Sequence, residues 1–552
     1  MTLSEPSDSK RTREFRLADF SPIADGVSDD TDAFQRCFAA ASSVDGACIR
    51  IEPGDYLLSG REPITLASHQ QITAHGARIH MPRVLGDQAR LVLFAGCDLV
   101  DVCWRGGCFI GHCFDHRQPS NTWEPNVNTR IFLITTSEAG TTARIVFDGI
   151  QARRVAGAVI SVYGASPTPA DPGSRTYATD ITVRHCQFDE CGKFMWDYGL
   201  LWQIVIWPED YDAEVLAMAQ RYSFDGLVQG PVTMRHGDDR VLLDNAAAGI
   251  AASASAGNDE SLCFFGDTLP DNIRRGRQYY VLEATAQYIR IAESYGGPAI
   301  RFVGDSGPRA VCMTTLHRAY YHLFAPIGAG PGKGAVDLTL CKHVMVTGNR
   351  LSALGDTMHI QCADSVIFSG NQITGSRMGA FFIAEYCSTI TVTGNTVDGS
   401  NGSRVMSVEK NCTDITIVGN TFRGGGRGSW INQPQGIVLA NNVFVDNTTK
   451  GTADPWSGRK TFLTGDYERY PELYFTTFEE NGTYGPVIVE NNLFKTGTTC
   501  KSAIQFEAGG HDIIVRHNVI QGDERRIEID PSCRDVIIDG NPGAVVPSER
   551  TP

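Results

Sequence analysis

The residues best placed for chemistry are carboxylates that recur once per repeat in a short strand. The segments MHIQ (358–361), FIAE (382–385), SVE (407–409), WIN (430–432) and QFE (505–507) align on their apolar residues. If Ile360, Ala384, Val408, Ile431 and Phe506 point inward, then Gln361, Glu385, Glu409, Asn432 and Glu507 point outward in one row, because side chains alternate along a strand. His359, Ser407 and Trp430 share that surface two residues earlier. By the same count Asp197, in FMWDYG, belongs to the rung before Gln361, and Asp356 overhangs His359 from the turn ahead of it. Paired carboxylates beside an imidazole and an indole suit acid/base cleavage of a glycosidic bond. Coils stacked at about 4.8 Å would set Glu385 and Glu409 roughly 5 Å apart, the separation of a retaining pair. Like charges that close leave one carboxyl protonated near neutral pH. Glu385 and Glu409 are therefore the expected catalytic pair with anomeric retention. Asp197 is the reserve partner, at about 10 Å two rungs away, and Asp356 stands beside the group. His359, Gln361, Trp430, Asn432, Arg377 and Arg404 are the expected substrate-binding residues, with Trp430 suited to stacking on a sugar ring. A polar outer face needs no function, but like charges one rung apart destabilise a sheet unless something uses them.

Such a row exists only if the chain repeats. Between Cys341 and Asn420 it does: a hydrophobic strand ends in Gly-Asn, a polar turn follows, and a second short strand leads to the next unit. Asn349, Asn371, Asn395 and Asn420 lie 22, 24 and 25 residues apart, and Asn442, Asn492, Asn518 and Asn541 continue the series. A period in the twenties built from strands predicts a β-solenoid, whose coils must stack to bury their apolar faces. Asparagine tolerates left-handed backbone and bonds to the next turn, so stacked coils should align these amides in a ladder. Cys341, Cys387, Cys412 and Cys533 each precede a marker asparagine by eight residues and Cys362 by nine. A small residue at one coil position reads as a buried stack of free thiols.

Composition limits the partners. The 552 residues carry 63 acidic and 48 basic side chains, a net charge of −15, which argues against a nucleic-acid ligand. No apolar run approaches a membrane span. The opening MTLSEPSDSKRTREF lacks the hydrophobic core of a signal peptide; with thiols that look unpaired, the expectation is a cytoplasmic protein, released by lysis or carried on a phage particle if it acts outside. Cys103, Cys108, His112, Cys113 and His116 cluster without the spacing of a zinc site, so neither metal nor cofactor is expected. H-E-x-x-H and a G-x-S-x-G elbow are absent, and Gly330-Pro-Gly-Lys-Gly lacks Walker spacing.

The segment DFSPIADGVSDDTDAFQRCFAAASSVDGACIRIEPGDYLLSG starts the ordered chain. Asp29 or Asp30 can cap a helix whose apolar face is Thr31, Ala33, Phe34, Cys37, Phe38 and Ala41, and a strand from Cys48 to Ile51 then ends at Pro53-Gly54. With Asp25, Gly26, Asp29, Asp30, Thr31, Ala33 and Phe34, then Ile49, Pro53, Gly54 and Tyr56, this stretch resembles the entrance of the pectate-lyase-like right-handed parallel β-helix superfamily, in its polygalacturonase or glycoside-hydrolase-like branch. The resemblance implies an all-β, right-handed parallel β-helix closed by an N-terminal capping helix. It also implies acids placed on one sheet and side-by-side association as a homotrimer. It does not name the acids: the paired aspartates of polygalacturonases are missing, and Gly355-Asp356 is a faint echo.

On this reading residues 1–15 are a disordered tail and 16–208 the cap and first coils. Residues 209–309 form an inserted small β-rich domain, where periodicity lapses after a helix-like piece, Glu214–Tyr222. Residues 310–552 carry the main coils, with an aromatic loop at 446–480 (Trp456, Tyr467, Tyr470, Tyr474, Phe475) that either lines a groove or packs on its own coil. The function expected is a carbohydrate-active enzyme, a glycoside hydrolase or intramolecular glycosyltransferase, acting on a poly- or oligosaccharide. A polysaccharide lyase or uronate epimerase is the alternative, because Arg350, Arg377, Arg404 and Arg427 lie in the turns leading to the row. A non-catalytic glycan-binding phage or surface protein is the second alternative.

Overall fold

A coil of this length cannot pair its own backbone, so every strand must bond to the coils on either side. The computed structural model describes residues 13–59, 62–82, 90–111, 128–155, 157–192, 229–243, 261–266, 268–273, 279–293, 297–314, 333–353, 356–376, 379–399, 404–448, 470–477 and 482–546. Among the described residues the strands stack in parallel into three long sheets. Fourteen strands run from Glu14–Arg16 to Arg534–Asp539, thirteen from Asp25–Asp29 to Val519–Gly522, and twelve from Ile64–Thr65 to Ile527–Ile529. The architecture is a right-handed parallel β-helix.

The asparagines join the coils. Asn349 Nδ2 donates to Asn371 Oδ1 at 2.9 Å, and the same bond repeats from Asn371 to Asn395, from Asn395 to Asn420, and on through Asn442, Asn492 and Asn518 to Asn541. Each oxygen also accepts the backbone N–H of the asparagine one coil before it. The left-handed bend belongs to the residue ahead: Gly348, Gly370, Gly394 and Gly419 have φ near +65°, while the asparagines are not left-handed. Glycine takes the strained angle, which leaves the amide free to bond. Inside the coils aromatic rings stack in register. Phe422 and Phe444 have centroids 5.3 Å apart, Phe444 and Phe494 4.9 Å, and Phe475 and Phe506 4.6 Å. The cysteines Cys341, Cys362, Cys387, Cys412 and Cys533 are buried free thiols.

The open end is closed by the helix Thr31–Ser42, which buries Thr31, Ala33, Phe34, Cys37, Phe38 and Ala41. Phe34 and Phe38 pack against Phe94, and Phe38 also meets Trp104. Asp30 holds the N-cap position, but its carboxylate accepts the backbone N–H of Ile23 (2.6 Å) and Ala24 (3.1 Å). Asp29 accepts that of Thr31 at 3.0 Å. One acid thus starts the helix while the other ties it to the preceding loop.

The sheets pass over the middle of the chain: Ala178–Arg184 pairs directly with Cys341–Thr347. Between them six antiparallel strands from Gln229–Thr233 to Val311–Thr314 close into a barrel with its own core, including Val232, Met234, Phe264 and Ile289. The boundary expected at 309 is therefore too early. Val311–Thr314 closes the barrel by pairing with two of its strands, and the next solenoid strand is Lys333–Thr339. The aromatic loop is also shorter than 446–480. Leu473–Thr476 is a rung of the twelve-stranded sheet, with Phe475 in the core and Tyr474 on the outer surface. Trp456, Tyr467 and Glu214–Tyr222 lie outside the described residues.

Candidate active site on the twelve-stranded sheet

The outer surface of the twelve-stranded sheet is ordered by two rows. Asp337, His359, Phe382, Ser407, Trp430 and Tyr474 stand level in one. Two residues on, Thr339, Gln361 and Ala384 stand level, and Asn432 is level with Thr476. Ile383 pairs with Val408, which makes Glu409 the neighbour of Ala384. This corrects the expected alignment by one residue: Ile383, not Ala384, is level with Ile360 and points into the core. Glu385 lies one residue past the row, where the chain bends through left-handed Glu385 (φ 37°) and Tyr386 (φ 55°). Ala384, not Glu385, is therefore the backbone neighbour of Glu409, and the two glutamates do not share one outward position on adjacent coils.

The bend nevertheless returns the Glu385 carboxylate to the row. Gln361 Nε2 donates to its Oε2 at 3.0 Å and Lys410 Nζ to its Oε1 at 2.5 Å. Burial raises its pKa, but the bonds from Lys410 and Gln361 and the charge of Lys410 outweigh that, and the carboxyl is held below its usual range. Glu409 is in the opposite condition. Burial pushes it up to about 7; Arg404 opposes the shift and the charge of Asp356 reinforces it.

Asp356 is the first residue of strand Asp356–Gln361 and is buried, not a residue of the preceding turn. It stands level with Gly379 and, one strand further, with Arg404. A Cβ on Gly379 would meet Asp356 Oδ1 at 3.2 Å. The missing side chain gives the carboxylate room beside the intervening strand.

Sequence reasoning missed the partners of His359. Its Nδ1 lies 2.8 Å from Asp337 Oδ1, with both residues almost completely buried. Tyr163 donates its hydroxyl to Asp337 Oδ2 at 2.5 Å, and Arg130 donates to Tyr163 at 2.9 Å. The other face of the imidazole environment is Phe382, stacked with ring centroids 5.4 Å apart. One coil separates Asp337 from His359, so their spacing was a usable signal. Tyr163 is 174 residues from Asp337, across the inserted barrel, and carried none.

One expected substrate contact, Asn432, is corrected, and Trp430 already has protein partners. One face of Trp430 is taken by Arg404, whose guanidinium carbon lies 4.0 Å from the ring centroid, while the indole N–H donates to Thr476 at 2.7 Å. Asn432 is completely buried and donates to Thr476 at 2.8 Å, so it does not reach the surface. Arg404 Nε donates to the Tyr474 hydroxyl at 3.2 Å. Asp197 and Arg377 lie outside the described residues, and the rung beside Gln361 that was assigned to Asp197 holds Thr339. Among the described residues no group of three or more His, Cys, Asp or Glu is arranged to hold a metal ion. No described helix is long and apolar enough to cross a membrane. Cys103 and Cys108 belong to different sheets, and His112, Cys113 and His116 are outside the described residues.

Residues 330–459 match a family model described as NosD, periplasmic copper-binding protein. No curated protein sequence matches the chain. Among solved structures the chain is similar to the A-module of a mannuronan C-5 epimerase from Azotobacter vinelandii, at 11% identity and TM-score 0.43, covering 96% of this chain and 99% of that one. It is similar to a family 28 exopolygalacturonase from Yersinia enterocolitica, at 10% identity and TM-score 0.44, covering 96% and 79%. A third is the tailspike protein of E. coli bacteriophage HK620 in complex with a pentasaccharide, at 11% identity and TM-score 0.41, covering 94% and 66%. With three stacked parallel sheets and a helix over the entrance, the chain has a right-handed parallel β-helix fold.

Proposed function

We propose that the chain is a carbohydrate-active enzyme that cleaves or transfers glycosidic bonds of a poly- or oligosaccharide, with Glu409 as general acid and Glu385 as its ionised partner. The observation that supports this reading is the contrast between the two glutamates. One is raised to about 7 by burial, and the other, on the neighbouring rung, is held ionised by Lys410 and Gln361. Glycoside cleavage needs that division: a proton for the departing oxygen and a carboxylate to attack or to activate water. The bond to the leaving sugar breaks as Glu409 gives up its proton. The sugar carbon is then taken by Glu385, by a water that Glu385 deprotonates, or by an acceptor hydroxyl. Arg404, fixed by Trp430 and Tyr474, presents its guanidinium at the edge of the group, and Asp356 keeps Glu409 protonated.

A lyase or uronate epimerase draws on a different observation, the buried His359–Asp337 pair, which offers a base for proton abstraction next to a carboxylate. One experiment separates the two. A panel of neutral and uronate-containing polysaccharides and oligosaccharides is digested, with reducing ends and unsaturated products followed together and the first product's anomeric form read by proton NMR. New reducing ends or transfer products without unsaturation are expected. Glu409→Gln and Glu385→Gln should each lose at least about a hundredfold in turnover while folding normally. Full activity in both variants, or a product that is only unsaturated or epimerised, would defeat the assignment.

A further inference from the structure

Asn432, expected among the substrate contacts, is completely buried on the rung that follows Glu409. Val408 stands level with Ile431, so Glu409 and Asn432, each one residue further on, are neighbours on adjacent strands. Both strand residues before them point into the core, which turns these two side chains to the same outer face. Strands about 4.8 Å apart bring such a pair within reach of one hydrogen bond.

The two groups lack the same thing. Asn432 Nδ2 donates to Thr476 Oγ1 at 2.8 Å, and Thr476 is fixed in turn by the indole N–H of Trp430 at 2.7 Å. Thr476 belongs to the strand beyond, so the amide nitrogen faces away from Glu409 and the oxygen, which diverges from it, faces back. That Oδ1 is buried with no hydrogen-bond partner among the described residues. Nor does any N–H or O–H of the described residues donate to the Glu409 carboxyl; burial and charge act on it instead. A buried acceptor without a donor is costly. Two acceptors cannot bond each other, but one proton on the carboxyl satisfies both. The charged groups facing Glu409 are Arg404 on its own strand, Lys410 one residue on, and Asp356 and Glu385 from the two preceding coils. On the other side Ser429–Asn432 brings no charge, and Leu473–Thr476 beyond it brings only Tyr474 as a titratable group.

We propose that Asn432 is a positioning residue for Glu409: its Oδ1 accepts a hydrogen bond from the protonated carboxyl and keeps the proton there while the site is empty. A hydrogen bond to the neutral form disfavours ionisation, so the amide works with burial and with Asp356 against Arg404 and Lys410. A glycosidic oxygen that arrives over Glu409 takes the donor in place of the amide. The O–H bond of Glu409 then breaks as that of the departing sugar forms, and Asn432 loses only a hydrogen bond. The use of this proton rests on the function proposed above; the bond between Glu409 and Asn432 does not.

Infrared spectra of the full-length chain, recorded across the neutral range without substrate, read the proton through the carboxylic C=O band that Glu409→Gln removes. In Asn432→Leu this band should move to higher frequency and vanish at a pH about 0.5 to 1 lower than in the wild type. Thr476→Val leaves the amide nitrogen without its acceptor and lets it turn to Glu409, which favours the ionised form, so the proton should again leave at lower pH. Thr476→Ser keeps the hydroxyl and should titrate as the wild type does; this pair decides the matter if Asn432→Leu does not fold. The alkaline limb of activity on a saccharide found by the digests should move with the band. Release at the wild-type pH in both Asn432→Leu and Thr476→Val, or no band lost in Glu409→Gln, overturns the proposal. A shifted band in a chain that cleaves no saccharide upholds the bond and defeats only the glycosidic reading.

Discussion

Glu409 and Glu385 follow strands one rung apart, yet their surroundings drive them in opposite directions, and this can be measured on single residues. Activity that needs the Glu409 proton should fall as pH rises through about 7, and activity that needs ionised Glu385 should fall on the acid side. Asp356 adds negative charge near Glu409, so Asp356→Asn should move the alkaline limb to lower pH. Lys410 lowers both glutamates, so Lys410→Met should move both limbs to higher pH. Initial rates across pH for the three proteins check this; an alkaline limb that ignores Asp356→Asn means that another group supplies the proton. Removing Arg404 should shift that limb upward, since its charge holds Glu409 down.

Between residue and fold stand the ladder and the strands it aligns. Asn395 accepts from the backbone and side chain of Asn371 and donates to Asn420 and to the carbonyl of Phe368, all buried. Asn395→Ala strands several polar groups at once and should lower stability by about 1–3 kcal/mol, seen as a fall in the urea midpoint at unchanged slope. Thr391→Ala, on the outer face one strand earlier, is the control and should stay within about 0.5 kcal/mol. A ladder variant no worse than this control would make the amides ornamental. The same elements explain what could be read from the chain. Gly-Asn recurs because every coil needs one left-handed residue and one amide at the same corner, and the helix face from Thr31 to Ala41 is visible as spacing, so the architecture was legible. The register at Glu385 was not. FIAE aligns by eye on its glutamate, whereas the bend that shifts it is a backbone angle of two residues with nothing in their type to announce it. The burial of Asn432, and the loan of Trp430 to Arg404, depend on Thr476, a partner 44 to 46 residues away across a segment that breaks the period. The Tyr163–Asp337 contact needed the inserted barrel to be removed before its two strands became neighbours.

The whole molecule must carry these groups through changes of pH, and its buried carboxyls pull against its surface ones. Several half-buried surface acids, Asp55 beside Arg78 and Asp148 beside Arg184 among them, have lowered pKa values. Their small contribution is present above the unfolded pKa and lost as pH falls through the folded one. Glu472 works in the other direction. It is completely buried and accepts Asn447 through both its backbone N–H, at 3.0 Å, and its side chain, at 2.5 Å. Burial outweighs those bonds, and with the charge of Asp446 it raises the carboxyl from 4.5 to about 8. Between these values the folded chain holds a proton that the unfolded chain has released. Stability from this group is therefore complete below about 4.5 and declines as pH rises towards 8. Glu409 adds to the decline over a narrower window, ending near 7. The folded state should accordingly be most stable in mild acid and weaken on the alkaline side. Urea titrations at intervals from pH 5 to 9 should show the midpoint of the wild type falling. Glu472→Gln keeps the shape and an amide that can bond Asn447 without an ionisable proton, so its midpoint should fall less, and the two curves should separate steadily up to about pH 8 and run parallel above it. Curves that stay parallel throughout would place the alkaline weakness elsewhere and leave Glu472 ionised at neutral pH.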